Sequence, residues 1–503
     1  MTLPAWLDPL WVAEEMRAAD AWAIEQDGVP SPELMERAGE GLARVAAEAA
    51  GDGPVRILIG SGNNGGDGLV AARLLRSEGW SVDVLSAASL ERLAGDARAN
   101  LERLPGDAPA PFEPGRLAGS GVVVDALLGT GFAGAPREQV ASAIAAVNAQ
   151  AAPVVACDVP SGVDASSGEV LGEAVRATVT ATFHGPKLGL YLAPGAWHAG
   201  AVRVIEIGIG RAAPPPRQAG LIGAGSLALV PGRPRHGSKF TSGTVLIAGG
   251  ARGLTGAPRM AALAAMRAGA GYVQVAVPAS AELVLQLALM EAMTRGLEEE
   301  DGAHGPAGVA AVEQLAGRAG SVVLGPGLSR AASAAAFARA VALAVEAPLL
   351  IDADGLNAHA ELLESLVERR GPTVLTPHAG ELGRLLGRES SEVDAQRLRC
   401  AREAAERSGA VVVLKGDDSI IAAPGGPVAV SRGASPALAS AGTGDVLSGV
   451  IGALLAKGLG PFEAAAAGVL AHARAGVVAA ERHGADHTIA GDVIDALPQA
   501  MRA

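Results

Sequence analysis

Aromatic residues are scarce: five Trp, two Tyr and six Phe, 3% of 503 residues. That is too few for an aromatic-rich β-sandwich interior, so the core must rely on aliphatic side chains and close backbone approach. With 49% hydrophobic residues and 68 glycines, the composition leans toward layered α/β structure. Cysteine is scarcer still. Cys157 and Cys400 stand in different halves of the chain, which excludes a disulfide framework and points to a reduced, cytoplasmic setting. Cys157 ends an apolar run and reads as core. Basic residues are outnumbered, 40 against 53 acidic, for a net charge of -13. A concentrated basic face is therefore not expected, nucleic acid is not an expected partner, and anionic ligands must be held by local groups. The N-terminus carries Asp8, Glu14 and Glu15 where a signal peptide would need a basic and then an apolar stretch. The uncharged stretch 139–157 is interrupted by Gln139, Asn148, Gln150 and Pro153, so it reads as a helix followed by a strand and no membrane partner is expected.

At this length two compact domains are expected, of roughly 200 and 280 residues. In the first half, β-branched runs at 55–59, 81–85, 121–125, 153–158, 177–183 and 203–207 alternate with helical segments, the signature of a parallel, doubly wound sheet. Pro214, Pro215 and Pro216 then stiffen a linker placed at 213–224, dividing a domain at 1–212 from one at 225–503. The pattern restarts at 244–248, 272–277, 321–324, 348–352, 373–375 and 411–414, with helices at 333–346 and 444–456. Function is expected at the strand C-termini of both.

In the first domain, Gly60 to Gly68 follows a strand and precedes a helix placed at 69–76. Such a glycine-rich turn lets backbone N–H groups approach a phosphate. Asn63, Asn64 and Asp67 add polar groups that a plain tight turn does not need. Two further strand ends carry Asp125 to Gly131 and Asp158 to Gly162. Singly, each aspartate reads equally well as a turn or helix cap. Together, Asp125, Ser161 and the Asn64 carbonyl would suit a hard cation, a monovalent one since the set carries little charge. Lys187, just past another strand, is either a surface lysine or a group that meets an anionic substrate and assists proton transfer.

These segments resemble the YjeF N-terminal family, the NAD(P)H-hydrate epimerases, over residues 1–210. The resemblance implies a Rossmann-like fold that interconverts the R and S hydrates of NADH and NADPH. It implies K⁺ held by Asn64, Asp125 and Ser161. Substrate contacts would come from Asn63, Asn64, Gly65, Gly66 and Asp67, from Gly129, Thr130, Gly131, Phe132, Ala133, Gly134 and Ala135, and from Asp158. Asp67 or Asp158, with Lys187, would do the acid/base work, and the sequence does not rank them.

In the second domain, Ala441 to Gly449 opens a helix. Its N–H groups can form an anion hole, and Asp445 beside them can accept the proton of an attacking hydroxyl, the core of phosphoryl transfer. The bland reading of Asp445 is a helix-start carboxylate. Lys415, Gly416, Asp417, Asp418 and Ser419 follow a strand and suit a nucleotide diphosphate; His378 lies in a polar strand-end loop. Asp352 and Asp354 would either order Mg²⁺ through water or cap turns.

This half resembles the YjeF C-terminal family, the ADP-dependent NAD(P)H-hydrate dehydratases, with a ribokinase-like α/β fold. The resemblance implies that Ala257, Gly327, His378 and Asp445 contact the hydrate, that Lys415 to Ser419 and Gly444 contact ADP, and that Mg²⁺ assists. Asp417 and Asp418 depart from the small residues usual there, and would repel a diphosphate unless they face solvent. Together the halves imply a homo-oligomeric enzyme, both lyase and isomerase, that recovers both epimers of NADHX and NADPHX. The alternative is a kinase of a vitamin-precursor alcohol with a regulatory Rossmann-like domain.

Overall fold

The computed structural model describes residues 2–502. The chain divides into two units: Pro9–Ala219, together with Met1–Leu3, and Gly220–Ala503, together with Pro4–Asp8.

In the first unit, seven strands lie in the order Ala110–Pro111, Val82–Ser86, Val55–Ile59, Val122–Ala126, Val154–Cys157, Val179–Phe183 and Ala201–Ile205. All neighbours pair in parallel. The chain works outward from Val55–Ile59 in one direction and then resumes beside it with Val122–Ala126, so the switch point of the doubly wound sheet lies between these two strands. Alternation explains why both faces are covered. Val55, Ile57 and Ile59 pack with Leu34, Ala38 and Leu42 of the Ser31–Ala50 helix, whereas Leu58 and Val123 pack with Ile144 and Val147 of the Glu138–Asn148 helix on the other side.

The second unit repeats the logic. Met293–Leu297, Tyr272–Pro278, Thr244–Ala248, Ser321–Leu324, Leu349–Ile351, Thr373–Leu375 and Val411–Leu414 are parallel neighbours, with a switch point between Thr244–Ala248 and Ser321–Leu324. Ile420–Ala422 and Val428–Val430 continue the sheet antiparallel. The Thr443–Ala456 helix packs on the Gly256–Arg267 helix so closely that a Cβ on Gly449 would lie 2.1 Å from the Ala261 carbonyl oxygen. Small residues here replace the aromatic filling that the composition lacks. Pro461–His483 is the one described helix long and apolar enough to cross a membrane, and 67% of its apolar window is buried inside the protein, as in a core helix. Cys157 and Cys400 are free and buried.

Several boundaries differ from the sequence reading. Residues 219–222, assigned to the linker, form the strand Ala219–Ile222 beside Val428–Val430. The proline-bearing part lacks regular structure, because proline cannot donate to a ladder and residues 219–222 after it can. The Ala13–Glu25 helix was not anticipated. The helix expected at 69–76 begins at Asn63, so the polar loop residues are its first turn. Glycine-rich sequence suggests a loop, but here it serves packing: a Cβ on Gly65 would stand 2.2 Å from the Gly60 carbonyl oxygen, and one on Gly66 2.7 Å from Met35 Cε.

Candidate functional sites

A cavity of about 700 Å³ opens at the switch point of the first unit. Asn63, Asn64 and Asp67 reach it from the start of the Asn63–Ser77 helix, whose N–H groups up to Gly65 have no intrahelical acceptors. Gly129, Thr130, Gly131 and Phe132 enter from the turn after Val122–Ala126, Asp158 from the end of Val154–Cys157, and Lys187 from just past Val179–Phe183. Gly65 and Gly66 face inward against Gly60 and Met35 instead. Ala133, Gly134 and Ala135 do not line the cavity; Ala133 and Ala135 are exposed where the turn runs on toward Pro136.

Lys187 is 1% exposed and its Nζ lies 2.6 Å from Asp158 Oδ1 and 2.6 Å from the Phe183 carbonyl. The surface-lysine reading is thereby excluded. Burial is sustained from the N-terminal segment: Trp11 N–H donates to the Pro186 carbonyl and Leu188 N–H donates to the Trp11 carbonyl, each at 2.8 Å. Asp158, held at φ +65°, accepts from Thr130 Oγ1, Thr182 Oγ1 and the Phe183 N–H besides Lys187. Burial alone would raise its carboxyl; the Lys187 charge and these hydrogen bonds outweigh burial and hold it below its usual range. Asp67 is the opposite case. Burial, with Asp158 and Asp20 nearby, pushes it well above that range. Sequence reasoning missed Asp20, which lines the same cavity from the Ala13–Glu25 helix. Its pKa is raised to about 6, chiefly by burial.

Beneath the cavity, Asp125 is fully buried. It accepts from Ser161 Oγ at 2.6 Å, Ser161 N at 2.8 Å and Leu127 N at 3.3 Å, and among the described residues no cationic side chain pairs with it. Asn64 Nδ2 donates to the Leu128 carbonyl on the same turn at 2.8 Å. Asn64, Asp125 and Ser161 thus converge. A buried carboxylate raised to about 6 by burial, held by one hydroxyl and two backbone N–H groups and with no cationic partner among the described residues, is the chemistry a monovalent cation would fit.

In the second unit, Lys415 is the hub of the charged groups. Its Nζ lies 2.9 Å from Asp352 Oδ1 and 3.7 Å from Glu381 Oε2. Burial works against the ammonium, but Asp352 and Glu381 hold its pKa above the ordinary value. Glu381 accepts from the His378 N–H at 2.9 Å, and His378 Nδ1 accepts from Gly380 N at 3.0 Å; His378 is thus a helix cap whose ring is largely exposed. Asp445, half-buried in the first turn of Thr443–Ala456, has its carboxyl raised to about 7 by burial and by Asp352. Ala257 and Gly327 pack together at the switch point, where a Cβ on Gly327 would meet Ala257 Cβ at 3.3 Å.

A cavity of about 310 Å³ is walled by Lys415, Gly416, Asp417, Ser419, Thr443 and Gly444 on its polar side. Asp418 is missing from that wall. It is buried and paired at 3.1 Å with Arg397, which also donates to the Lys415 and Asp418 carbonyls. The repulsion expected from two carboxylates is therefore halved: Asp417 stays on the exposed rim and Asp418 faces inward to a cation. His472, also missed, lines the far side; burial pushes it down to about 4, so it is neutral at pH 7. Of the two readings of Asp352 and Asp354, ordering Mg²⁺ through water or capping turns, the contacts of Asp354 are those of a turn cap. Asp352 is spent on Lys415 and on Ser448 Oγ at 2.6 Å, and Asp354 on Ser329 N and Asn357 Nδ2.

Residues 245–499 match the family model described as NAD(P)H-hydrate dehydratase, and residues 31–189 that of the YjeF-related protein N-terminus. The bifunctional NAD(P)H-hydrate repair enzyme of Salinibacter ruber is 42% identical over 98% of this chain and 96% of its own. That of Moorella thermoacetica is 39% identical over the same shares. Among solved structures, the ADP/ATP-dependent NAD(P)H-hydrate dehydratase of Bacillus subtilis, co-crystallised with ATP and Mg²⁺, is 29% identical and matches 55% of this chain and 94% of that one, with a TM-score of 0.47. With both domain types present and full-length relatives above 35% identity, this chain belongs to the family of bifunctional NAD(P)H-hydrate repair enzymes.

Proposed function

We propose that the first unit interconverts the R and S hydrates of NADH and NADPH, and that the second dehydrates the S hydrate at the expense of ADP, yielding NAD(P)H, AMP and phosphate. The observation that carries the second activity is the Asp445 carboxyl, raised to about 7, at a helix N-terminus that also borders the cavity of Lys415, Gly416, Ser419 and Gly444. A base with a pKa near the working pH is the effective kind. The hydrate carries a hydroxyl on a ring carbon beside the ring nitrogen, and hydroxide is a poor leaving group. Asp445 takes the hydroxyl proton as the oxygen attacks the terminal phosphoryl of ADP. Lys415 and the first-turn N–H groups offset the charge on the phosphates. The nitrogen lone pair then expels phosphate, and loss of a proton from the adjacent ring carbon restores the reduced cofactor.

In the first unit, the free N–H groups at Asn63 to Gly65 hold the phosphates of the hydrate at the helix N-terminus. Asn64, Asp125 and Ser161 would hold K⁺, which would supply positive charge to offset the Asp125 carboxylate. The test is incubation of mixed R and S hydrates with ADP and Mg²⁺. Complete return of the NADH absorbance band, with one AMP per NADH, is expected. A stable phosphorylated product would establish the kinase alternative instead, and no conversion would overturn the proposal.

A further inference from the structure

The epimerase reading needs two proton-transfer groups, and the geometry of the cavity separates its three carboxyls. Epimerisation at the hydroxyl-bearing carbon requires a base for the hydroxyl proton and an acid for the ring nitrogen. Asp158 is badly placed for either. Its oxygens already accept from Thr130, Thr182, Phe183 N–H and the Lys187 ammonium, so few lone pairs are open to a substrate. Asp20 and Asp67 both line the cavity, and among the described residues neither carboxyl has a hydrogen-bond or ion-pair partner. The charges that face Asp20 are Lys187, Asp158 and Asp67 from the sheet side, with Arg17 on its own helix also lining the cavity. Met16, Arg17, Asp20 and Ile24 line it together, one face of a helix fixed to the rest of the unit by Ala13 N–H donating to Ser166 Oγ at 3.0 Å.

We propose that Asp20 is the base that takes the hydroxyl proton of the hydrate in the first-unit cavity, with Asp67 as the acid; the inference rests on the epimerase reading above. As Asp20 takes that proton, the carbon–oxygen bond becomes a carbonyl and the bond from that carbon to the ring nitrogen breaks. The nitrogen keeps the electron pair and receives the Asp67 proton. The aldehyde arm turns about its remaining carbon–carbon bond. The nitrogen adds to the opposite face and returns its proton to Asp67, while the oxygen recovers the proton held by Asp20. Nothing is oxidised or reduced, and both carboxyls end as they began. The order of acidities agrees: burial, with Asp158 and Asp20 nearby, raises the Asp67 carboxyl well above its ordinary range, and burial raises Asp20 to about 6, more basic than a free carboxylate.

The experiment uses the full chain. Without nucleotide, purified S hydrate is incubated with enzyme and the appearance of R hydrate is followed by chromatography; ADP and Mg²⁺ are then added to measure consumption of the S form. Asp20→Asn is expected to slow epimerisation by about 10²- to 10⁴-fold, through kcat rather than KM. Asp20→Glu should recover part of the rate, and S-hydrate consumption should match the unsubstituted chain in both variants. Epimerisation by Asp20→Asn within about threefold of the unsubstituted chain, or a loss confined to KM, would overturn the assignment. Failure of the unsubstituted chain to form R hydrate would instead remove the epimerase reading itself.

Discussion

Replacing Lys187 by Met keeps the aliphatic stem and deletes the charge, and the structure fixes what that should do. The ammonium is 1% exposed and Asp158 8% exposed, so the substitution strands a buried carboxylate. Breaking a buried pair from one side costs about 3–5 kcal/mol. In a unit of roughly 200 residues each kcal/mol moves Tm by about 2–4 °C, so a drop of about 6–20 °C is expected. The pH dependence carries a sign. In the unsubstituted protein the Asp158 pKa is depressed, so its contribution is present above the ordinary carboxylate pKa and lost as pH falls through the depressed value. In Lys187→Met, the largest force opposing burial at Asp158 is gone and only its hydrogen bonds, such as those from Thr130 and Phe183, still oppose it, so its folded-state pKa rises, while Asp67 and Asp20, already raised, lose the Lys187 charge that lowers them and rise further. The stability of the variant is then greatest at low pH and is lost as pH rises, so its deficit should be larger at pH 7.5 than at pH 5. Calorimetry of the full chain across that range is the assay, with Lys187→Met/Asp158→Asn expected to regain more than half of the loss. A deficit under about 3 °C at pH 7.5, or one that grows as pH falls, would refute the reasoning.

Further outcomes follow from other contacts. Asp445→Asn should lower dehydration at least about 10²-fold, and the rate of the unsubstituted chain should rise with pH through about 7 as that carboxyl ionises. Because the folded pKa of Asp445 is raised, its ionisation destabilises the fold above that pH; Asp445→Asn should therefore gain more in Tm at pH 8 than at pH 5. Gly65→Ala drives a Cβ to 2.2 Å from the Gly60 carbonyl oxygen and should abolish epimerisation while leaving dehydration of the S hydrate intact. Arg397→Ala leaves Asp418 buried and unpaired, and removes the donor to two carbonyls of the 415–418 turn. The KM for ADP, read from AMP release, should rise at least about tenfold.

What could be read from the sequence was chemistry at strand ends. Parallel sheets bury β-branched runs on both faces, so Val55–Ile59 and Val411–Leu414 announce themselves, and the polar residues that follow them fall into place at the switch points. Asp125, Asp158, Lys187 and Lys415 lie at or just past such termini, Asp445 opens a helix instead, and the structure gathers them into two clusters. Asp20 gave no such signal. It sits mid-helix between buried Ala19 and exposed Ala21, with no glycine or strand beside it, and reaches the cavity only because the Ala13–Glu25 helix docks there. Arg397 was equally hidden, since its partner Asp418 is 21 positions away and the pairing depends on how the Arg397–Ser408 helix lies against the Val411–Leu414 strand. The start of the helix at Asn63 was misread because glycine reports either a flexible turn or a close approach, and only packing tells the two apart.

The bracket that Trp11 places around Lys187 bears on how this catalyst can be divided. The stretch that matches the N-terminal family model begins at residue 31, but Trp11, whose N–H and carbonyl grip the chain on either side of Lys187, and Asp20 in the cavity wall both precede it. A fragment trimmed to that stretch would keep every strand from Val55 to Phe183 and the whole glycine-rich turn. Yet its lysine would lose the backbone splint that keeps it out of water, and its cavity would lose one wall. The functional perimeter of the first unit is thus wider than its recognisable sequence, and the leading helix belongs to the catalyst.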